Sequence, residues 1–162
     1  MIEIKDNFLK YEEHRRLQGL ISILEWKISR CVSLNDVTCD ENENFQMSHE
    51  FYKNYVPQSS HFNDLYDIIT KISPQSICRI KANLNPKTSK IIEHGFHIDN
   101  PYKNCKTSIY YVNTNNGYTS FEDGQKIKSV ANRLVTFDSS IKHSGSTCTD
   151  VEARIVINFN YF

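Results

Sequence analysis

The chain has 162 residues, with 19 basic and 19 acidic side chains and a formal net charge of zero. That length suits one domain able to bury a real core, and the charge balance argues against electrostatic capture of nucleic acid or an anionic membrane. No apolar run at the amino terminus is long enough for a signal peptide or a span, and five cysteines (Cys31, Cys39, Cys78, Cys105, Cys148) without a C-x-x-C pair read as reduced thiols of a cytoplasmic protein.

Residues 1–5 alternate Ile2 and Ile4 with polar neighbours, the pattern of a short strand. Asp6 or Asn7 can cap a helix that begins near Phe8. In it Leu17, Leu20, Ile21 and Leu24 follow helical spacing and predict one apolar stripe laid against a sheet. Trp26, Ile28 and Val32 suggest a strand leading into the polar run 31–44. Its Asp36, Asp40, Glu41 and Glu43 read as a solvated loop or a lid over a site rather than a metal centre. Residues 45–52 alternate again, and His49 there reads as a surface or hydrogen-bonded histidine before a substrate contact. Ser59 or Ser60 opens a second helix that turns Phe62, Leu65, Ile68, Ile69 and Ile72 inward. Ser73-Pro74 ends it, because the residue before proline is driven out of the α region.

Eight short strands are expected next, over 77–84, 90–97, 106–113, 118–122, 125–130, 133–138, 143–147 and 154–162. Turn signals stand at Asn85-Pro86, Asn115-Asn116-Gly117, Asp123-Gly124 and Ser144-Gly145. The class is α+β: a double-sheet jelly roll with two amino-terminal helices buttressing one sheet. One domain over 1–162 is expected, with helical support over 1–75 and the jelly-roll core over 76–162.

The chemistry concentrates at His97-Ile98-Asp99. Side chains two residues apart lie on one side of an extended backbone, so an imidazole nitrogen and a carboxylate oxygen can reach one ion together. His143, far along the chain, is the candidate third ligand of a 2-His-1-carboxylate set, the donor pattern of non-haem Fe(II) with positions left open. In the terminal run Arg154, Val156 and Asn158 share one face, while Ile155, Ile157, Phe159 and Tyr161 share the other. That places a guanidinium on the cavity side, where it is costly unless it meets an anion, and its planar fork suits a carboxylate.

His97-Ile98-Asp99-Asn100-Pro101 followed by Thr107-Ser108-Ile109-Tyr110-Tyr111-Val112-Asn113 resembles the Fe(II)- and 2-oxoglutarate-dependent oxygenases. The likeness is to their prolyl-4-hydroxylase-like branch, and around this motif to the prolyl hydroxylases of hypoxia-inducible transcription factors. Gly117-Tyr118-Thr119-Ser120-Phe121 looks like that family's glycine-threonine-phenylalanine segment. The resemblance implies a double-stranded β-helix with His97, Asp99 and His143 holding iron. It implies that Arg154 pairs with the distal carboxylate of 2-oxoglutarate and that the Tyr111 hydroxyl helps, with Thr107 beside it. Asn83 and Asn158 are further candidates for the pocket wall. The implied cofactors are Fe(II), 2-oxoglutarate and O2, with ascorbate as an accessory reductant. The implied reaction is hydroxylation of a C–H bond, with a prolyl residue of a peptide or protein as substrate, or a free amino acid or other small molecule instead. A cytoplasmic setting follows, in a bacterium or in a host cell if the gene is phage-borne, as a monomer or weak homodimer. Nucleic acid is not expected as a partner, since no second arginine follows Arg154 on the last strand.

Two rivals stand beside this reading. A zinc cluster could draw on His94 with His97, or on His143 with Cys148 and Cys105, but it leaves Asp99 and Arg154 without a role. A non-catalytic metal-binding jelly-roll module is the other. His94, three residues before His97, falls out of phase on a regular strand and reads as a bystander. Arg133 reads as a surface or salt-bridge residue.

Overall fold

The computed structural model describes residues 1–29 and 45–162, so the loop or lid expected over 31–44 and the contribution of Val32 lie outside the described residues. The strands are β1 (Glu3–Lys5), β2 (Lys27–Ser29), β3 (Gln46–Lys53), β4 (Val56–Pro57), β5 (Ile77–Pro86), β6 (Lys106–Tyr111), β7 (Tyr118–Phe121), β8 (Lys126–Lys128), β9 (Arg133–Asp138), β10 (His143–Gly145) and β11 (Ala153–Tyr161). The helices are α1 (Tyr11–Ile21) and α2 (Tyr66–Ile72), the second entered through a 3-10 turn at Ser60–Leu65.

A major antiparallel sheet runs β1-β9-β6-β11-β5-β3-β2, with β4 against β3, and faces a minor sheet β10-β7-β8. This is the jelly roll that the alternating segments predicted. The amino-terminal part does more than buttress it: β1 pairs with β9, and β3 pairs with β5, so residues before 76 build both flanks of the major sheet.

The alternation of β11 sorts its side chains as expected. Ile157 and Phe159 join Leu17, Leu20 and Ile21 of α1, Ile68 of α2 and Phe51, Ile80 and Tyr110 in a core on the outer face of the sheet. Each such aliphatic or aromatic side chain fully removed from water contributes about 1.5–3 kcal/mol. Val156 turns the other way, into a smaller core with Ile109, Tyr111, Phe121, Ile127, Val135 and Phe137 between the two sheets.

Two local expectations are corrected and a third gains detail. Asp6 and Asn7 do not cap α1: Asp6 accepts from Arg133 Nε and Nη2 (2.6 and 2.9 Å), and Asn7 takes a left-handed φ of 52° that turns the chain. The turn lays Leu9 against Asn132, whose side chain accepts the Leu9 N–H and donates to the Leu9 carbonyl, so the helix starts only at Tyr11. Ser73 does leave the α region before Pro74, but into the left-handed region (φ 52°), where its N–H bonds the Ile69 carbonyl as a helix cap. The strand expected over 90–97 is absent. Two isolated bridges, Glu93 with Ser146 and His97 with His143, replace it. Four residue steps on one side face three on the other, so one extra residue breaks the period-two phase.

Candidate active site

His143 opens β10, and its imidazole sits 2% exposed between the rings of Phe137 and Phe121. The paired backbone bonds between His97 and His143 (both 3.0 Å) bring the HxD segment beside it. His97 Nε2 lies 3.8 Å from Asp99 Oδ1, and His143 Nε2 lies 3.7 Å from Asp99 Oδ2. The ligand atoms of all three lie within 4.8 Å of one another. The structure therefore brings together the three residues singled out in the sequence.

The hydrogen bonds around them fix which atoms face inward. His97 Nδ1 contacts the Gly95 carbonyl (3.2 Å) and His143 Nδ1 the Ile141 carbonyl (3.0 Å). A carbonyl only accepts, so each Nδ1 carries its proton and each Nε2 presents a lone pair. Burial holds His143 below the ordinary histidine value against the opposing pull of Asp99, which keeps it a neutral donor. Burial pushes Asp99 upward, but the His143 and His97 imidazoles and the bonds from Asn160 and Thr107 outweigh it and hold the carboxyl below its usual range. His143 Nε2 is buried and, among the described residues, has no hydrogen-bond partner. Two lone pairs and a carboxylate aimed at one point, one of them otherwise unsatisfied, fit a divalent cation of the Fe(II) type.

Asp99 is held by two residues. Thr107 Oγ1 donates to Asp99 Oδ2 (2.9 Å), and so does Asn160 Nδ2 (3.0 Å). Thr107, expected beside Tyr111 at the co-substrate, has its hydroxyl on the Asp99 carboxylate. Asn160 was missed from sequence, although it continues the inward face of Arg154, Val156 and Asn158.

Arg154 enters the same cavity at 2% exposure. Its Nε donates to Ser129 Oγ (2.8 Å), its Nη2 to Thr119 Oγ1 (3.0 Å), and its guanidinium carbon stands 5.5 Å from the centre of the Tyr111 ring. The Tyr111 hydroxyl also donates to Thr119 Oγ1 (2.7 Å). Among the described residues no carboxylate lies within salt-bridge reach of Arg154, and its burial pulls it below the ordinary arginine value. Thr119 and Ser129 were not singled out as site residues; the Gly117–Phe121 resemblance was the signal that pointed near Thr119. Gly117 leaves room for the guanidinium stem, since a Cβ there would stand 2.7 Å from Arg154 Cδ.

The cavity holds about 440 Å³, and β5 forms the wall beside β11. Along it Arg154 pairs with Asn85, Val156 with Asn83, Asn158 with Lys81, and Asn160 with Arg79. Asn83 and Asn158 line it as expected, and with Asn85 they present buried side-chain oxygens that lack partners among the described residues. Arg79 is neutralised by Glu50 (2.6 Å from Nε). Lys81 is partly buried, makes no ion pair among the described residues, and is pushed down to about 8, first by burial and then by the neighbouring Arg79.

His94 is no bystander to the cavity: the extra residue at 93–97 turns it, 4% exposed, into the same wall as His97. His49 and Arg133 take the ordinary roles foreseen: His49 bonds the Glu25 carbonyl and Ser59, and Arg133 bonds Asp6. The zinc rival is not assembled. Cys105 and Cys148 bond the Lys106 and Val151 carbonyls, and among the described residues the only metal-competent group is His97, Asp99 and His143.

No protein-family model matches the chain, and no curated protein matches it. Solved structures do. A prolyl hydroxylase from Trichoplax adhaerens, in complex with a peptide fragment of the hypoxia-inducible factor oxygen degradation domain, superposes at a TM-score of 0.69 and 16% identity, over 99% of this chain and 83% of that one. An oxidoreductase of the 2OG-Fe(II) oxygenase family from Burkholderia pseudomallei gives 0.69 and 14%, over 99% and 84%. The non-haem α-ketoglutarate-dependent epimerase SnoN of nogalamycin biosynthesis gives 0.68 and 12%, over 99% and 77%. The chain thus has the jelly-roll fold of the 2OG-Fe(II) oxygenases and carries a His-x-Asp…His cluster within it.

Proposed function

We propose that this protein is an Fe(II)- and 2-oxoglutarate-dependent dioxygenase that hydroxylates a C–H bond. The observation that carries this is the pairing, in one cavity, of a three-donor metal cluster with a buried arginine that lacks a carboxylate partner among the described residues. An α-keto dicarboxylic acid would answer both ends, one at the His97, Asp99 and His143 cluster and the other at the Arg154 guanidinium.

Bound there, Fe(II) with 2-oxoglutarate and O2 supplies oxidative decarboxylation to succinate and CO2 and the transfer of one oxygen atom to the substrate. The chain's own residues prepare that chemistry. His97, Asp99 and His143 would hold the ion, while Thr107 and Asn160 fix the carboxylate and the Gly95 and Ile141 carbonyls fix the imidazoles. Arg154, oriented by Ser129, Thr119 and Tyr111, sets the register of the co-substrate. Phe121, Phe137, Ile109 and Val156 keep water from its inner side.

The prime substrate we infer is a prolyl ring. The motif resemblance over 97–113 supports it, as does the presence of a peptide-bound prolyl hydroxylase among the similar structures. A small-molecule substrate is the second reading, favoured by the cation Lys81 inside the cavity. The test is anaerobic titration of the Fe(II) protein with 2-oxoglutarate. A metal-to-ligand charge-transfer band, followed on oxygenation by succinate and a gain of one oxygen in a proline-containing probe, is expected. Failure of the band to form removes the oxygenase reading.

A further inference from the structure

With Fe(II), 2-oxoglutarate, Asp99 and Arg154 in place, the charges named for the proposed site cancel: two positive on the metal, two negative on the co-substrate, one of each sign on the side chains. Arg79 pairs with Glu50, which the half-exposed Lys53 also contacts from outside the cavity, so the cations of this wall outnumber its one carboxylate. Lys81 remains, a cavity-wall side chain that makes no direct ion pair among the described residues; Glu50, its cross-strand partner, and Asp99 act on it only from a distance. It stands on β5, one strand away from the Arg154-bearing β11, opposite Asn158 and one inward position from Arg79. Next to it the side-chain oxygens of Asn83 and Asn158 are buried and unsatisfied among the described residues, so this wall offers a positive charge and acceptors beside it. Leaving such groups dry and unpaired is costly, and a ligand that meets them recovers that cost.

We propose that Lys81 fixes a carboxylate of the prime substrate, with the asparagine oxygens of the same wall receiving that substrate's N–H or O–H groups. This rests on the oxygenase reading and adds the class of molecule oxidised: one bearing a single negative charge close to the reacting C–H. The carboxylate can come from a free amino or imino acid, or from an acidic side chain next to a proline in a peptide.

The test uses full-length protein loaded with Zn(II) and 2-oxoglutarate, which binds without turnover, and then the Fe(II) form. Probes are the free L-amino acids, proline included, their amides, and proline peptides with and without a neighbouring Asp. Binding is followed by calorimetry and turnover by succinate release above the substrate-free background. Carboxylate-bearing probes should bind at least tenfold tighter than their amides or neutral counterparts. Lys81→Met should erase that preference, Lys81→Arg should restore part of it, and the 2-oxoglutarate affinity should hold in both. Preference for free acids names the first source, and preference for Asp-containing peptides the second. Equal binding of acids and amides overturns the proposal, and so does a preference unchanged in Lys81→Met. Loss of 2-oxoglutarate affinity in that variant overturns it too, by giving Lys81 to the co-substrate, as does failure of every carboxylate probe. Substrate-free succinate formation and the charge-transfer band of the unsubstituted protein stay intact in all of these, which separates them from failure of the oxygenase reading itself.

Discussion

Replacing Arg154 by methionine is the sharpest perturbation of the proposed co-substrate site. Methionine keeps the unbranched stem that packs by Gly117 and Tyr111 and removes the fork. Hydrogen bonds to charged groups contribute about 1.5–3 kcal/mol each, and loss of a two-pronged carboxylate pair is set here at about 3 kcal/mol. At 1.4 kcal/mol per decade, that weakens 2-oxoglutarate by roughly 100-fold. The assay is anaerobic titration of the charge-transfer band in the Fe(II) protein, with Fe(II) affinity measured separately. Metal binding should change little, because His97, Asp99 and His143 make no bond to Arg154 among the described residues. The thermal stabilisation given by 2-oxoglutarate, about 2.7 kcal/mol at 100 times its dissociation constant in the parent, should fall to about 0.4 kcal/mol at the same concentration. A variant that binds 2-oxoglutarate within a few-fold of the parent refutes the assignment of Arg154.

Asn160→Ala frees one of the two bonds that hold Asp99 Oδ2, and should weaken the metal by about 10- to 100-fold while circular dichroism stays unchanged. Equal metal affinity in a chelator competition would deny Asn160 that supporting role. Gly117→Ala places a Cβ 2.6 Å from the Thr147 carbonyl oxygen, a backbone atom that cannot swing aside, so it should lower the melting temperature and weaken 2-oxoglutarate together. Gly19→Ala on α1 meets nothing within 4 Å and should stabilise by up to about 1 kcal/mol, read from chemical denaturation midpoints. His14 and His143 are both held below 6.5, chiefly by burial, so below that pH the unfolded chain binds protons that the metal-free fold refuses. Stability should be level above pH 6.5 and fall as pH drops below it, and a flat urea midpoint between pH 7 and 5 would contradict this.

The alternation of Arg154 through Tyr161 was decisive on paper because β11 lies in the middle of a sheet with a different core on each face. A nine-residue strand with neighbours on both sides has one register that satisfies both faces, and its pattern survives folding intact. The HxD spacing worked for a different reason. The bridge at His97 holds that residue opposite His143, and the backbone beyond it ties Asp99 N–H to Ser139, so the two ligands reach one point although no strand runs through them. The same irregularity defeated the period-two argument for His94: one extra residue before His97 shifts the phase, and composition carries no mark of it. Thr107 was placed on the correct face of β6 but at the wrong end of the cavity, because face follows from sequence parity while position follows from the pairing of β6 with β11.

What the sequence determined alone was local periodicity and residue chemistry: the strands with two buried faces, the helical stripe of α1, the three candidate metal donors and the inward guanidinium. Tertiary structure decided everything that depends on distance across the chain. It settled that Asn160 and Thr107 grip Asp99, that Thr119 and Ser129 orient Arg154, and that Asp6 leaves the helix cap for Arg133. It also settled that Glu50 bonds Arg79 while Lys81, opposite it on β5, makes no direct ion pair among the described residues. A hydrogen bond requires donor and acceptor within about 3 Å, and a one-dimensional pattern fixes such a distance only between residues that share a turn or a strand.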